Sequence, residues 1–225
     1  MKYDNMVIGL ELGSTRIKAV LLDEHFEIAA EGFHDWENRL ENGVWTYTKE
    51  DIDSGIRDCY QKLKRDAENK FGEPLKRVAG IGISAMMHGY LPIDKEGRQL
   101  SEFRTWRNTM TAQAAEELTE LFSFNIPQRW SIAHLYQAIL NGEAHEKDID
   151  YLTTLAGAVH LKLTGKRVMG IGEASGMFPV DSETLDYNQA FMDAFDCRIA
   201  NRHYPWKLRD ILPKILLAGE NAGSL

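Results

Sequence analysis

Three short aliphatic runs, Met6–Leu12, Ile17–Asp23 and Glu27–Phe33, follow one another with only Gly13-Ser14-Thr15 and a brief polar turn between them. Runs of this length, rich in β-branched and aliphatic residues and separated by turn residues, specify a strand meander. The period then changes. Thr48 and Asp51 form a capping-box pair, and Ile52, Ile56, Cys59, Tyr60 and Leu63 recur at helical spacing until Gly72 and Pro74 end the helix. Val78–Ser84 carries no charge and reads as a fully buried strand, with Gly89–Ile93 as a partner closing on the turn Asp94-Lys95-Glu96-Gly97. A chain that begins in this way is committed to a sheet with at least one helix packed on it.

The second half changes character. Thr109–Phe122 sets Ala112, Ala115, Leu118 and Phe122 on one face, and Ser131 is placed to cap a helix ending at Asn141-Gly142. Asp148 or Asp150 is expected to cap a third helix, striped by Leu152, Leu155, Ala156, Val159 and Leu163 and terminated by Gly165. From Lys166 to Asp181 the chain returns to short, glycine-rich extended pieces. Strands first and helices later, joined by a crossover, predict an α/β domain with a mixed sheet flanked by helices.

Composition narrows the function. With 225 residues, 44% hydrophobic, the chain is long and apolar enough to build its own core. A net charge of −8 argues against nucleic acid as a partner. Its two cysteines, Cys59 and Cys197, have no CxxC spacing and predict reduced thiols in a cytoplasmic protein. The N-terminus enters a strand without the apolar stretch of a signal peptide, and Val78–Ile93, the longest run free of Asp, Glu, Lys and Arg, is interrupted by glycines, His88 and Pro92. A membrane span needs roughly 20 apolar residues, so no membrane partner is expected.

Chemistry concentrates in three places. Gly9 to Thr15 ends a strand with the carboxylate of Glu11 and turns through Gly13, Ser14 and Thr15, a composition that offers backbone N–H groups to a phosphate and a carboxylate to a metal. The same residues also suffice for a plain β-hairpin turn. Ser84 to Gly89 carries Met87 and His88 past the carboxyl end of a strand, where α/β proteins gather ligands, although a lone histidine also serves as an ordinary structural residue. Thr105-Trp106-Arg107-Asn108 adds an aromatic face, a cation and an amide suited to holding a sugar, or else simply caps the next helix. No GxxxxGK[ST] occurs, and Gly170 to Gly176 is one residue too long for GxGxxG.

Taken in order, the Glu11-Leu12-Gly13-Ser14-Thr15 turn with Lys18, the Gly82-Ile83-Ser84 strand running into Met87-His88-Gly89, the Trp106-Arg107-Asn108 loop and Glu173-Ala174-Ser175-Gly176 resemble the amino-terminal domain of the FGGY carbohydrate kinases, xylulokinase-like members above all. The resemblance covers essentially residues 1–225. It implies the ribonuclease-H-like fold of actin and hexokinase-type ATPases, two such domains facing each other, and transfer of the ATP γ-phosphate to a sugar hydroxyl with Mg²⁺, the sugar being a ketopentose such as xylulose. Carried over, Gly13, Ser14 and Thr15 would meet the phosphate, Glu11 the Mg²⁺, directly or through water, and Lys18 the developing charge. Met87, His88, Trp106 and Asn108 would touch sugar, and Glu173 and Ser175 would lie beside the site. Glu11, Glu173 and Asn108 stand where the family commonly has Asp, which puts the metal geometry and the choice of sugar in question.

The resemblance also implies a general base, an aspartate in a Gly-Asp segment beyond the stretch Leu212-Pro213-Lys214 to Ala218-Gly219-Glu220, and a carboxy-terminal nucleotide-binding domain. Neither occurs within these 225 residues. The chain is therefore expected to be inactive by itself. Ile211, Leu212, Ile215 and Leu216 are expected to remain exposed and to favour either self-association as a homo-oligomer or a disordered tail. The competing expectation is a non-catalytic sugar-binding or assembly domain of the actin-like fold.

Overall fold

The computed structural model describes residues 3–225. The chain divides into two units, one containing the chain up to Glu41 together with Thr46–Met86, the other containing Asn42–Trp45 and Met87–Leu225.

In the first unit β1 (Val7–Leu12), β2 (Arg16–Leu22) and β3 (Ile28–Asp35) form the expected meander. Strand β4 (Arg39–Glu41) ends this part of the unit; Asn42-Gly43, both at positive φ as a tight turn requires, and the first two residues of β5 (Val44–Thr46) are assigned to the second unit. Helix α1 (Lys49–Phe71) starts on the Thr48–Asp51 capping box and ends at Gly72, φ 70°. Strand β6 (Gly80–Ala85) returns parallel to β1 and completes a mixed sheet in the order β3-β2-β1-β6.

Alternation sorts this sheet into two faces. Ile8, Leu10, Leu12, Ile17, Ala19 and Leu21 are buried, while Glu11 and Lys18, cross-strand partners in register, occupy the opposite face. Helix α1 buries Ile52, Gly55, Cys59, Leu63 and Ala67. A Cβ on Gly32 of β3 would stand 2.3 Å from Cys59 O, so glycine is what lets helix and strand approach. That close contact sets the stripe's phase: Tyr60, expected on the apolar stripe, is exposed. Strand β6 is not fully buried as expected, because it is the edge strand of its sheet and several of its residues are open.

The second unit contains β7 (Leu91–Ile93), α2 (Ala112–Phe122), α3 (Ser131–Asn141), β8 (Tyr151–Thr153), α4 (Leu155–Thr164), β9 (Val168–Gly170), the single turn α5 (Ile171–Ala174), β10 (Val180–Asp181), β11 (Asp186–Tyr187), α6 (Gln189–Arg198), the single turn α7 (Leu208–Ile211) and β12 (Lys214–Leu216). Its core joins Leu118 and Phe122 of α2, Ile132 and Leu135 of α3, Phe178, and Phe195 of α6.

Several expectations are corrected here. Strand β7 pairs with β8, not with β6. Ser131 does not cap α3, since its hydroxyl donates to Gly89 O at 2.6 Å. Helix α4 is capped by Thr154, which accepts from Gly157 N–H, because Asp148 lies in a 3₁₀ turn and Asp150 is drawn to Arg167. Leu152 accordingly belongs to a strand. Ile211, Leu212, Ile215 and Leu216 are all buried: β12 pairs in parallel with β9, and the first three residues join the core, which removes the apolar patch on which self-association was argued.

Candidate functional site

The residues singled out by sequence fall into both units, and each group is built locally. In the first unit, Gly13-Ser14-Thr15 connects β1 to β2, and Gly13 N–H donates to Arg16 O at 2.9 Å to close the turn. Its carbonyls are then drawn off one after another. Trp36 Nε1 donates to Gly13 O at 2.7 Å, the Tyr47 hydroxyl to Ser14 O at 2.5 Å, and Trp36 N–H to Thr15 O at 3.1 Å. The two aromatic rings lie with centroids 4.3 Å apart, and both residues are buried.

With three consecutive carbonyls engaged, what remains of the turn is donor. The N–H groups of Ser14 and Thr15 have no partner among the described residues, and both residues are exposed. Successive backbone N–H groups without acceptors form an anion-binding concavity. Glu11 lies on β1 opposite Lys18 on β2 and Ser84 on β6, so a carboxylate, a cation and a hydroxyl share one sheet face. The Lys18 ammonium is 3.6 Å from Glu31, an exposed pair that leaves it open to an incoming anion. No group of three or more His, Cys, Asp or Glu residues that could hold a metal ion occurs among the described residues. Glu11 fits the usual form of a Mg²⁺ site, in which one carboxylate and water assist the phosphate oxygens.

In the second unit, Tyr90 and Arg104 form an antiparallel bridge, Tyr90 N–H donating to Arg104 O at 2.9 Å and Arg104 N–H to Tyr90 O at 3.1 Å. His88 lies two residues before this bridge and Trp106 two residues after it, so both loops leave from the same end. His88 has φ 68°, a left-handed conformation uncommon for a residue with a side chain, and Gly89 φ 89°, which glycine adopts freely; Gly89 is held by its N–H donating to Arg129 O and by the Ser131 hydroxyl donating to its carbonyl.

The ring of His88 has a defined tautomer. Nδ1 is 3.2 Å from Gly176 O, and since a carbonyl only accepts, Nδ1 carries the hydrogen. Burial lowers the pKa of His88 more than the Gly176 contact raises it, so the ring is neutral at pH 7. Nε2 is therefore an acceptor. Met87 and Trp106 are each 46% exposed, which leaves a thioether and an indole face accessible on the two loops that leave this end of the bridge.

Asn108 is 4% exposed, and its amide is occupied. It accepts from Trp45 N–H at 2.9 Å and donates to Trp45 O at 2.8 Å and Thr105 O at 3.0 Å. This clasp accounts for an amide at this position, because a carboxylate would face two carbonyl oxygens with no hydrogen to give. The Arg107 guanidinium lies 4.3 Å over the ring of Trp45. Glu173 sits in α5, where burial raises its carboxyl pKa against an opposing hydrogen bond from Thr154. The Ser175 hydroxyl donates to Gly172 O at 2.8 Å.

Sequence reasoning missed Trp36, Tyr47, Trp45 and Gly176. Gly176 was visible as part of Glu173-Ala174-Ser175-Gly176, and Trp45-Thr46-Tyr47 follows an Asn-Gly turn, but no spacing rule joins residues 36 and 47 to residues 13–15.

Comparison with known proteins bears on what such a chain is. It is 23% identical over 98% of its length to the xylulose kinase of Escherichia coli (strain K12), of which it covers 44%. Its fold is similar to that of a xyloylose kinase from Brucella ovis, with a TM-score of 0.81 and 19% identity over 97% of this chain and 45% of that one. It is also similar to the glycerol kinase of Plasmodium falciparum with ADP, with a TM-score of 0.76 and 16% identity over 98% and 45%. The chain thus spans about half the length of the proteins it matches, and its architecture is the actin- and hexokinase-like one expected from the sequence. The profile of the N-terminal domain of the FGGY family of carbohydrate kinases matches residues 6–225, and the chain belongs to that family.

Proposed function

We propose that this chain is the sugar-binding amino-terminal part of an ATP-dependent kinase that transfers the γ-phosphate to a hydroxyl of a ketopentose such as xylulose. The observation that carries the reading is the turn at Gly13-Ser14-Thr15, whose carbonyls are engaged inside the chain while two N–H donors are left for an anion. Phosphoryl transfer is catalysed chiefly by positioning and charge stabilisation. In this reading the turn meets the transferring phosphoryl group, Lys18 offsets its charge, and Glu11 would hold Mg²⁺, directly or through water, the ion supplying charge stabilisation to the phosphate oxygens. His88 Nε2 accepts a hydrogen from a sugar hydroxyl, Met87 and the Trp106 face pack on the sugar, and Asn108 keeps the Trp106 loop in place through Trp45. Glu173 and Ser175 support the His88 side through the segment that carries Gly176.

In this reading the accepting hydroxyl gives its proton to a base that the turn and the sugar loops do not supply, and ATP needs contacts for its adenosine. Both roles fall to a second, carboxy-terminal domain. The test is a coupled ADP assay with ATP, Mg²⁺ and a panel of xylulose, ribulose, gluconate and glycerol, run on the chain alone and on the chain joined to such a domain. Xylulose-dependent ADP release only in the joined form is expected. Release by the 225-residue chain at the same rate would mean that the base lies within it, and no release with any sugar in the joined form would refute a kinase.

A further inference from the structure

We infer that Trp36 and Tyr47 are positioning residues for the phosphate turn: by binding its three consecutive carbonyls from one side, they turn its N–H groups toward the anion. The inference rests on the kinase reading above and names two residues that neither the family motif nor the sequence spacing identifies.

A glycine-containing hairpin turn has no inherent reason to present donors. Its carbonyls and amides alternate, and in an unbraced turn the peptide planes of Gly13-Ser14 and Ser14-Thr15 can rotate to offer either group outward. A carbonyl turned outward would repel a phosphate oxygen. In this chain each plane is fixed by its oxygen: Gly13 O by the indole N–H of Trp36, Ser14 O by the Tyr47 hydroxyl, and Thr15 O by the main-chain N–H of Trp36. Fixing the oxygen of a planar peptide fixes the N–H of the next residue, so the first two bonds orient the amides of Ser14 and Thr15.

The brace is itself rigid. Tyr47 is wholly buried and Trp36 is 7% exposed, and their rings pack against each other. Buried hydroxyl and indole donors seek partners, and these two find them on a turn rather than in the core. Beside Thr15 lies an open depression of about 550 Å³ lined by Thr15, Arg16, Asp35, Trp36 and Glu37. The Arg16 guanidinium is held at its edge by Asp35 at 2.6 Å and lies over Phe33 at 5.0 Å. Neither Trp36 nor Tyr47 needs to touch the phosphate; each acts through the peptide that it holds.

The test uses the 15N-labelled chain titrated with tripolyphosphate, following the amide resonances of residues 13–16, for wild type, Tyr47→Phe and Trp36→Phe. Tyr47→Phe removes one hydroxyl and keeps the ring packing, and thermal unfolding of each variant reports whether the unit has stayed folded. The expected result is that the Ser14 and Thr15 amides of the wild type shift on binding, and that each variant binds about five- to tenfold more weakly, the scale of one lost hydrogen bond. A purely structural role would lower the thermal midpoint without changing the affinity of the folded fraction or the pattern of shifts. If the wild-type amides shift and both variants bind equally well, the brace is not a positioning device and the phosphate turn stands. Should the wild-type Ser14 and Thr15 amides ignore tripolyphosphate, both the phosphate turn and the inference fall. If Tyr47→Phe does not fold, Trp36→Phe decides alone.

Discussion

At the scale of single residues, His88 and Gly176 act as one unit. His88 occupies a left-handed backbone conformation that few side chains favour, and its ring is aimed by a single bond to a carbonyl 88 residues away in sequence. A Cβ on Gly176 would fall 2.7 Å from Nδ1 and 2.9 Å from Cε1 of that ring. Gly176→Ala should therefore displace the imidazole and free its tautomer at small cost to the fold, because the obstacle is the end of a movable side chain. The measurement is xylulose affinity by calorimetry beside the 15N shifts of the imidazole nitrogens. A loss of about five- to tenfold in affinity, with the Nδ1–H signature weakened and the thermal midpoint almost unchanged, is expected. Unaltered affinity with an altered tautomer would remove His88 from the sugar site.

At the scale of elements, the seat of α1 on the sheet rests on Gly32. The helix stripe presses Cys59 and Leu63 onto β3 so closely that Cys59 Sγ reaches Gly32 O at 3.2 Å, and burial pushes its thiol pKa up to about 11. Gly32→Ala would set a methyl group 2.3 Å from Cys59 O and 2.4 Å from Leu63 N, and backbone cannot step aside as a side chain can. Overpacking of this severity is expected to cost about 3 kcal/mol, read as a lower urea midpoint with an unchanged slope. An unchanged midpoint would mean that α1 rides further from the sheet. These elements were legible because their signals are local: the meander announces itself by turn residues, and α1 by a capping box and a terminal glycine. What was not legible is set by partners distant in sequence. The edge position of β6 depends on what pairs beside it, the cap of α4 on the capture of Asp150 by Arg167, and the burial of Ile211 to Leu216 on β9. The same limit applied to the site, whose motif residues stood out in sequence while the Trp36–Tyr47 brace and the Asn108 clasp did not.

At the scale of the whole molecule, one buried histidine makes a separable contribution to the response to acid. His134 on α3 is fully buried, neither ring nitrogen has a hydrogen-bond partner among the described residues, and its ring stacks on Tyr90 with centroids 6.3 Å apart. Burial, with a smaller contribution from the Arg104 cation, lowers its pKa to about 3. An unfolded histidine titrates near 6.5, so below that pH the unfolded chain binds a proton that the folded chain refuses, and stability falls as pH falls. The contribution is fully present above about pH 6.5 and is lost progressively toward pH 3. His88 and His145, whose pKa values burial also lowers, act in the same direction. Asp58, Asp66 and Asp186, held low by hydrogen bonds to Lys62, Lys70 and Arg209, add their losses only below the ordinary carboxylate range, whereas burial of Glu146, Glu173 and Asp196 raises their pKa values and opposes the trend. Substituting His134 separates its share from all the others. His134→Leu keeps an apolar side chain of similar size in the core and removes the proton site. Denaturation by urea at intervals from pH 8 to pH 5 should show the stability difference, wild type minus His134→Leu, constant above about pH 7 and then falling with a slope that approaches about 1.4 kcal/mol per pH unit, the value for one proton. Parallel curves for the two proteins over that range would mean that the histidine is hydrated or paired in the folded chain and that acid acts elsewhere.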